Sequence, residues 1–506
     1  MARMINTAEL GQVADLDLDT SEWIYNGLDC CVTEEILETL LPQLDDITRQ
    51  TYQLSLDLQG PVLEMSMRGL LVNQNKRSQV MSSFRRQLMK LEEQLDRIVF
   101  EGIGVKLNWR SPTQLKDLLY KTMNLPVQKA RNTNGFYEAT TNREALEKLS
   151  IYFIAEPIIN HLLLLRDIGK SLGFLETGID PDGRMRARFN IAGTNTGRFA
   201  SSESDFGTGT NLQNVARELR SVFVADPGYK FANLDLEQAD SRNIGANCWN
   251  VFVESHGESY AGSYLNVCEG GDLHTTVAKM ALTSLPWGTA PDRQIADQIA
   301  YRDKSYRDLC KVLGHGSNYL GTPQTMSHHS KFPLSTVKEF QHDYFTAFPV
   351  IPSFHQHVFK QLEMCGTLAT IYGRRRQFWG RPSDAATRRE AVAYMGQSPT
   401  ADAINRGLIQ LWRSHRVQLL VQVHDSILFQ YPEKDEDEIV PLALNLLRAP
   451  ITLKKGREFC IPLEAKVGWN WGDFDKDRNI DGLKKYKGGD DRSRTETDTR
   501  LTIRGK

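Results

Sequence analysis

The clearest strand pattern in the chain is the segment Val417-Gln-Leu-Leu-Val-Gln-Val-His-Asp-Ser-Ile-Leu-Phe-Gln-Tyr431. It contains two apolar, β-prone runs, 417–423 and 427–431, on either side of the polar triplet His424-Asp425-Ser426. Runs of this length around a short polar connection predict a β-hairpin with polar groups in its tight turn. The hairpin would present the carboxylate of Asp425 at a strand end.

A second short apolar strand also ends in an acid, in Phe231-Ala-Asn-Leu-Asp235-Leu236. If this strand neighbours the hairpin in one sheet, Asp235 and Asp425 project at one edge and can hold two divalent cations about 3.5–4 Å apart. Magnesium prefers such hard oxygen ligands and leaves room for substrate phosphates. Taken singly, each aspartate is more often a turn or capping residue, so the pair needs support from other residues.

That support comes from a basic run in which Arg307, Lys311, His315 and Tyr319 recur at every fourth position. On a helix such residues lie along one face, and an arginine and a lysine one turn apart suit a triphosphate. The alternative is an ordinary solvated basic face. Glycines surround the end of the run, which favours close approach of a substrate.

Length and composition allow several kinds of intracellular enzyme. The 506 residues are enough for roughly three domains. No stretch reaches the length of a membrane span, and the N-terminus lacks the pattern of a secretory signal. Seven scattered cysteines without a Cys-x-x-Cys pair predict a reducing compartment, and therefore a cytoplasmic protein. The net charge of −2 excludes a protein that coats nucleic acid by bulk charge, but a local basic groove remains compatible with it.

Seven ordered segments resemble the motifs of family A DNA polymerases, the relatives of bacterial DNA polymerase I and of many phage replicases. They are Thr196-Gly-Arg198-Phe-Ala-Ser-Ser, Asn211-Leu-Gln213-Asn214, Asp235-Leu-Glu-Gln238-Ala-Asp240-Ser-Arg242, Arg307-Asp-Leu-Cys-Lys311-Val-Leu-Gly-His315-Gly-Ser-Asn-Tyr319-Leu-Gly321, Tyr372-Gly-Arg-Arg-Arg376, Gln397-Ser-Pro-Thr-Ala-Asp402 and Gln422-Val-His424-Asp425-Ser426. The resemblance covers about residues 50–475. It implies a template-directed enzyme that adds deoxynucleoside monophosphates to a primer 3′ end and releases pyrophosphate.

The resemblance also implies a role for each matching residue. Two magnesium ions, which manganese could replace, would be bound by Asp235, Asp425 and the Leu236 carbonyl, and Lys311 would join the two aspartates in catalysis. The incoming nucleotide would contact His274, Arg307, Lys311, His315, Tyr319, Asp240 and Gln238. Primer–template DNA would contact Arg198, Gln213, Asn214, Arg389, Gln397 and His424. Contacts to minor-groove acceptors test the shape of a base pair without reading its sequence.

Three positions depart from the family pattern. Asp240 stands where the family has Glu, a side chain that with Tyr319 crowds out a ribose 2′-hydroxyl. We therefore expect that rejection of ribonucleotides is weaker, or that a shifted helix achieves it. His315 replaces an aromatic residue of the fingers helix. Ser426 replaces an acid, and the resulting His-Asp-Ser triplet is similar to that of single-subunit RNA polymerases. An RNA polymerase-like enzyme, or a catalytically silent DNA-binding subunit, is therefore the alternative function.

The N-terminus contains Tyr25-Asn-Gly-Leu-Asp29, which resembles the third motif of the 3′–5′ proofreading exonuclease of this family. The other acidic motifs are absent, and two-metal exonuclease chemistry needs them. We expect no proofreading by this polypeptide alone; a separate exonuclease subunit or a processivity factor would be a further partner, whereas no membrane is expected. A plain helix packing on the thumb is the alternative for this segment. The compact chain suggests a phage or mobile-element replicase, which would work in the host-cell cytoplasm.

The expected fold is α+β and multidomain, a right-hand polymerase with a helical thumb, helical fingers and an antiparallel-sheet palm. The predicted domains are an exonuclease-domain remnant at 1–48, the thumb at 49–180, the first part of the palm at 181–250, the fingers at 251–375, the second part of the palm at 376–479, and a disordered tail at 480–506. The tail is predicted from its Gly, Lys, Asp, Arg and Thr content and its few apolar residues.

Overall fold

The N-terminal part of the chain is mainly helical in the computed structural model, which describes residues 17–132 and 135–488. It contains α1 (Leu18–Leu40), α2 (Asp46–Asp57), α3 (Gln59–Arg68), β1 (Leu70–Val72), α4 (Gln74–Ile103), α5 (Pro112–Lys116), β2 (Lys129–Arg131), β3 (Tyr137–Ala139), α6 (Arg143–Leu149) and α7 (Glu156–Glu176). The long helix α4 begins where the Asn73 side chain accepts a hydrogen bond from the Lys76 N–H, and it ends at Gly104, whose φ of 79° is left-handed. Helices α4 and α7 pack together around a core of their own that includes Leu95, Val99 and Leu162.

The central part of the chain contains the elements predicted to form the first part of the palm and the helical fingers. The palm part contains β4 (Arg184–Met185), β5 (Arg188–Asn190), β6 (Ala200–Ser202), β7 (Phe223–Val224), β8 (Tyr229–Leu236) and α8 (Ala239–Ala261). The fingers contain α9 (Ser263–Glu269), α10 (Leu273–Ala281), α11 (Asp292–Ala296), β9 (Ile299–Tyr301), β10 (Lys304–Ser305), α12 (Tyr306–Asn318), α13 (Pro323–Ser330), α14 (Leu334–Ala347), α15 (Val350–Cys365) and β11 (Thr367–Ala369). Helix α12, which carries the predicted basic face, starts with a reciprocal capping box between Ser305 and Asp308 that fixes the beginning of the helix.

The C-terminal part returns to the palm. It contains β12 (Arg375–Gln377), α16 (Ala385–Arg413), β13 (Gln418–Val423), β14 (Ser426–Pro432), α17 (Glu436–Leu447), β15 (Ile451–Thr452), β16 (Glu458–Phe459), β17 (Leu463–Gly468) and β18 (Lys484–Lys485). Five strands form the main sheet in the order β13-β14-β8-β17-β18, and every neighbouring pair is antiparallel. The predicted hairpin is confirmed, because β13 and β14 pair through Val423 and Ser426. The α+β fold with an antiparallel-sheet palm is thus also confirmed.

The predicted start of the thumb at residue 49 does not match the packing. Val62, Met65 and Leu70, from α3 and β1, belong to the main core rather than to the thumb core. The Glu64 side chain accepts a hydrogen bond from the Leu419 N–H at 3.0 Å, which ties α3 to β13. The region with its own core begins only at α4. Helical periodicity shows that a helix buries one face, but it does not identify the surface that covers this face.

The predicted disordered tail is wrong for residues 480–488. Strand β18 pairs with β17, and Leu483 is 6% exposed. The Leu483 N–H donates to the Gly472 carbonyl at 2.7 Å, and the Tyr486 N–H donates to the Ala465 carbonyl at 2.9 Å. Main-chain hydrogen bonds order this segment, and they are available to residues of any composition. Residues 489–506 lie outside the described residues.

Helix α1 forms most of the described part of the predicted exonuclease-domain remnant, whose residues 1–16 lie outside the described residues. None of its described side chains is fully buried, and Tyr25 is 67% exposed. In the described ranges, no helix has both the length and the apolar character required to cross a membrane.

Candidate active site

The two predicted metal-binding aspartates lie side by side at one end of the main sheet. Asp235 is the penultimate residue of β8, and its partner across the β8–β14 ladder is Ser426. Asp425 occupies the hairpin turn just before Ser426, and its carbonyl accepts a hydrogen bond from the Leu236 N–H at 3.0 Å. Cross-strand pairing therefore brings together two acids that are far apart in sequence.

Both carboxylates lie in surroundings that disfavour their charge. Burial, followed by the neighbouring charge of Asp425, raises the pKa of Asp235 to about 7. Burial also raises the pKa of Asp425, and the charge of Asp240 adds to this effect. Partly buried acids whose ionisation is disfavoured by burial and by a neighbouring negative charge are stabilised by a bound cation.

The donor set at this edge fits magnesium. It offers two carboxylates and the main-chain carbonyl of Leu236, all of them hard oxygen ligands. Over residues 17–132 and 135–488, no group of three or more His, Cys, Asp or Glu side chains could hold a metal ion. Water and substrate oxygens would complete the coordination of a magnesium ion held by these groups, which is how magnesium is usually bound beside phosphates.

A pocket of about 710 Å³ opens between the carboxylate edge and the fingers helix α12. Asp235, Leu236 and Asp425 line one side, and Arg307, Lys311 and His315 line the other. The pocket wall also includes His274, Gln238 and Asp240, so the structure brings together all predicted metal- and nucleotide-binding residues except Tyr319. Tyr319 follows the last residue of α12, and its ring contacts that of His315 with centroids 4.8 Å apart.

The phosphate-binding candidate Arg307 is held by an acid that sequence analysis missed, Asp272. The Arg307 guanidinium donates to its two carboxylate oxygens at 3.1 Å through Nε and Nη2, and Arg293 donates to it at 2.7 Å. Burial alone would raise the pKa of Asp272, but the hydrogen bonds from Arg307 and Thr275 outweigh it and hold this pKa well below its usual range. The Asp272-x-x-Thr275 spacing is a helix N-cap pattern, yet nothing in the sequence links it to Arg307.

His274 is a neutral member of this cluster. Burial, and then the charge of Arg307, lower the pKa of its imidazole to about 4. At neutral pH it can therefore donate one hydrogen bond to an anion without adding a positive charge. In contrast, Lys311 is exposed at the pocket and has no ion pair with any acid in the described part of the chain.

Asp240 is held on the opposite side of the pocket by helix α16. The Thr400 hydroxyl donates to its Oδ1 atom at 2.8 Å, and Arg198 Nη2 lies 3.6 Å from the same oxygen. Beside this pair, a Cβ added to Gly396 would overlap the Tyr319 hydroxyl, so α16 and the Tyr319 side chain pack with no space to spare. The position predicted to sense the 2′-hydroxyl is therefore tethered rather than free.

Several buried polar atoms around Asp240 have no hydrogen-bond partner among the described residues. They are Arg198 Nε, Gln238 Oε1 and Tyr319 Oη. Native proteins rarely bury such atoms without a partner, and exceptions concentrate at sites completed by a ligand or water. The observation supports a polar substrate at this position.

The residues predicted to contact DNA differ in their exposure to solvent. Arg198 and Gln397 are half-buried close to the pocket, whereas Asn214, His424 and Arg389 are exposed. Gln213 is buried, and its amide donates to the Gln422 carbonyl at 3.1 Å and to the Gln422 side chain at 3.2 Å. It links a short helical turn to β13, so its predicted DNA contact would require an exchange of these bonds.

Glu464 is a second acid that sequence analysis missed. It lies directly opposite Asp235 across the β8–β17 pair and lines the same pocket. Lys485 and Lys466 lie 3.3 and 3.7 Å from its carboxylate. No sequence pattern predicts this neighbour, because it depends on the pairing of β17 with β8.

Together, the helix-flanked palm and the carboxylate edge facing a basic helix define a polymerase domain. Residues 75–473 match the model of DNA polymerase family A. The chain belongs to DNA polymerase family A. The family resemblance predicted from the seven motifs is thus confirmed.

The chain is similar to several known members of this family. It is 26% identical to the DNA polymerase I of Deinococcus radiodurans over 467 residues, which cover 87% of this chain and 44% of that protein. It is 26% identical to the thermostable DNA polymerase I of Thermus caldophilus over 409 residues, with coverages of 76% and 43%. The chain spans less than half the length of these curated relatives.

A solved structure with the same fold is the POL domain of Pol1 from M. smegmatis, in complex with DNA primer-template and dNTP. The TM-score is 0.69 at 23% sequence identity, and the match covers 87% of this chain and 74% of that chain. This likeness shows the fold of a family A polymerase domain.

Proposed function

We propose that this protein is a template-directed DNA polymerase that adds deoxynucleoside monophosphates to a primer 3′ end. The observation that carries the proposal is the meeting of Asp235 and Asp425 at one sheet edge, across a 710 Å³ pocket from Arg307 and Lys311. Membership of DNA polymerase family A supports it. So does the fold shared with a polymerase domain that was solved with primer-template and dNTP.

In this proposal, the fingers side of the pocket binds the triphosphate. Arg307, oriented by Asp272, directs its remaining N–H groups to the phosphates. His274 donates a neutral hydrogen bond, since its pKa of about 4 leaves the ring uncharged at neutral pH. Lys311 neutralises charge on the departing pyrophosphate and can donate a proton to its bridging oxygen.

The palm side holds the primer end and two divalent cations. Asp235, Asp425 and the Leu236 carbonyl would bind magnesium, and manganese could replace it. Bound in pairs, such ions lower the pKa of the attacking hydroxyl and stabilise charge on the leaving group. Asp240 and Tyr319 lie where the nucleotide sugar would be placed. Arg198, Gln397 and His424 would contact the primer–template close to the new base pair, with Asn214 and Arg389 further out.

Primer extension tests the proposal. Wild-type protein with a primer–template, four dNTPs and magnesium is expected to extend the primer. Asp235→Asn and Asp425→Asn should each reduce the rate by about 10³-fold or more, because each removes a ligand shared by both cations. Asp303→Asn is a matched control, since Asp303 is exposed and lies outside the pocket lining.

The other outcomes identify the alternatives. No extension by the wild type with either magnesium or manganese would refute the proposal and favour a catalytically silent DNA-binding subunit. Synthesis from ribonucleotides alone, without a primer, would also refute it and favour an RNA polymerase-like enzyme.

A further inference from the structure

The segment from β12 into the start of α16 concentrates positive charge in an otherwise slightly acidic chain. Residues 374–389 contain six arginines and a single acid, Asp384, although the whole chain has a net charge of −2. Four of the arginines are engaged by acids: Arg374 with Asp402, Arg375 with Asp45, Arg376 with Glu390 and Arg388 with Glu363. Neither Arg381 nor Arg389 has an ion pair within the described ranges, and both are exposed. These two guanidinium groups are available for phosphates.

Trp379 lies in the middle of this basic segment and is 91% exposed. Its neighbours are anchored on both sides. Phe378 is 6% exposed and packs edge-on against Tyr394, and its N–H donates to the Gly366 carbonyl at 2.8 Å. On the other side, a Cβ added to Gly380 would overlap the Thr387 hydroxyl, so the chain lies directly on α16. A well-anchored backbone therefore presents the indole ring to solvent.

The loop that carries the exposed ring packs against α16, the helix that also contacts the candidate active site. Thr387, which the Trp379 loop contacts, and Gly396, which contacts Tyr319, are nine residues apart on α16. At about 1.5 Å per residue this separation is about 14 Å. A stacked nucleic-acid strand rises about 3.4 Å per nucleotide, so the distance corresponds to about four nucleotides.

We propose that Trp379, with the exposed Arg381 two residues further along the chain, is a stacking site for an unpaired base of the template strand, about four nucleotides ahead of the insertion site. The inference rests on the proposed polymerase function. An exposed aromatic ring close to an arginine without an ion pair combines the two features that bind single strands without sequence preference: a face for a base and a cation for the backbone. The single-stranded template is the strand that leaves the pocket unpaired.

Binding of primer–templates with different overhangs tests this site. The dissociation constant is measured by fluorescence anisotropy for one duplex carrying 5′ template overhangs of 1, 2, 4, 6 or 8 nucleotides. Wild-type affinity should increase once the overhang reaches about four nucleotides. Trp379→Ala should lose this gain, by about 5- to 100-fold, whereas Trp379→Phe should keep most of it because a ring remains.

Two further variants separate stacking from general effects. Trp23→Ala is the matched control, because Trp23 is 80% exposed but lies on the acidic helix α1; its overhang dependence should equal that of the wild type. The logarithm of the association constant falls linearly with the logarithm of the salt concentration. For the long overhang, Arg381→Gln should make this negative slope less steep by about 1.

The proposal is overturned if the affinity of Trp379→Ala increases with overhang length as it does for the wild type. It is also overturned if the substitution weakens binding by the same factor at every overhang length. An equal loss in Trp379→Phe would also overturn stacking. The proposed function has a separate readout, extension of the primer by the wild type. A protein that binds long overhangs through Trp379 but extends no primer would refute the polymerase proposal and leave the stacking site in place.

Discussion

The buried hydroxyl of Thr400 connects the palm helix α8 to α16 through two hydrogen bonds. It donates to Asp240 Oδ1 at 2.8 Å and accepts from Asn243 Nδ2 at 2.9 Å. Thr400 and Asn243 are both fully buried. The substitution Thr400→Val keeps the shape of the side chain and removes the hydroxyl, so that Asp240 loses a donor and Asn243 loses an acceptor.

The magnitude follows from these two bonds. A hydrogen bond to a charged group contributes about 1.5–3 kcal/mol, and the 21% exposure of the Asp240 side chain favours the lower end. Asn243 keeps a second acceptor, the Gly396 carbonyl at 3.3 Å, so its amide should lose only about 1 kcal/mol. We expect Thr400→Val to lower the free energy of unfolding by about 2–3 kcal/mol.

Denaturant titration followed by tryptophan fluorescence measures this change at the transition midpoint. Thr346→Val is the matched control, because the exposed Thr346 hydroxyl only donates to the His342 carbonyl within α14; its effect should stay below about 0.5 kcal/mol. In single-nucleotide incorporation opposite template G, an untethered Asp240 should lower the preference for dCTP over CTP. If Thr400→Val remains within 0.5 kcal/mol of the control and keeps the wild-type dCTP preference, Thr400 does not hold Asp240, and the reasoning fails.

Four further predictions concern the same pocket. Asp272→Asn should lower kcat/KM for dNTP by about 5- to 20-fold, because Arg307 loses its orienting carboxylate. The control is Asp297→Asn, which breaks only an exposed ion pair with Arg293. An unchanged kcat/KM in Asp272→Asn would contradict the role of Asp272. Asp240→Glu should raise discrimination of dCTP over CTP by about tenfold, because one more methylene crowds the ribose, and equal discrimination would refute this. The pKa of His274 falls from 6.5 to about 4 on folding, so the folded state binds fewer protons and its stability should decline as pH drops from 6.5 towards 4. In denaturant titrations at pH 7 and 5, the free energy of unfolding of His274→Gln should decrease less than that of the wild type. An equal decrease in both proteins would show that His274 does not cause the pH dependence. A primer with a mismatched 3′ end should not be shortened by the wild type without dNTPs, and release of the mismatched nucleotide would show that this polypeptide proofreads.

Local patterns in the sequence were sufficient for the elements that carry the chemistry. Two apolar, β-prone runs around a polar triplet predicted the β13–β14 hairpin, and the four-residue spacing of Arg307, Lys311 and His315 predicted their common helix face. These predictions hold because each depends on residues that are close in sequence, where backbone geometry alone sets the neighbours. The motif order then predicted the family, which the family match confirms.

Contacts between distant segments were decided only by the tertiary structure. Glu464 reaches Asp235 because β17 pairs with β8, and Asp272 reaches Arg307 because α10 packs beside α12. The same reason explains the two corrections to the domain limits: α3 packs on the palm sheet, and β18 joins this sheet through main-chain hydrogen bonds. The pattern of apolar side chains shows whether a segment can bury one of its faces. The partner of that face depends on the free energy of the whole packed chain, and no single segment contains this information.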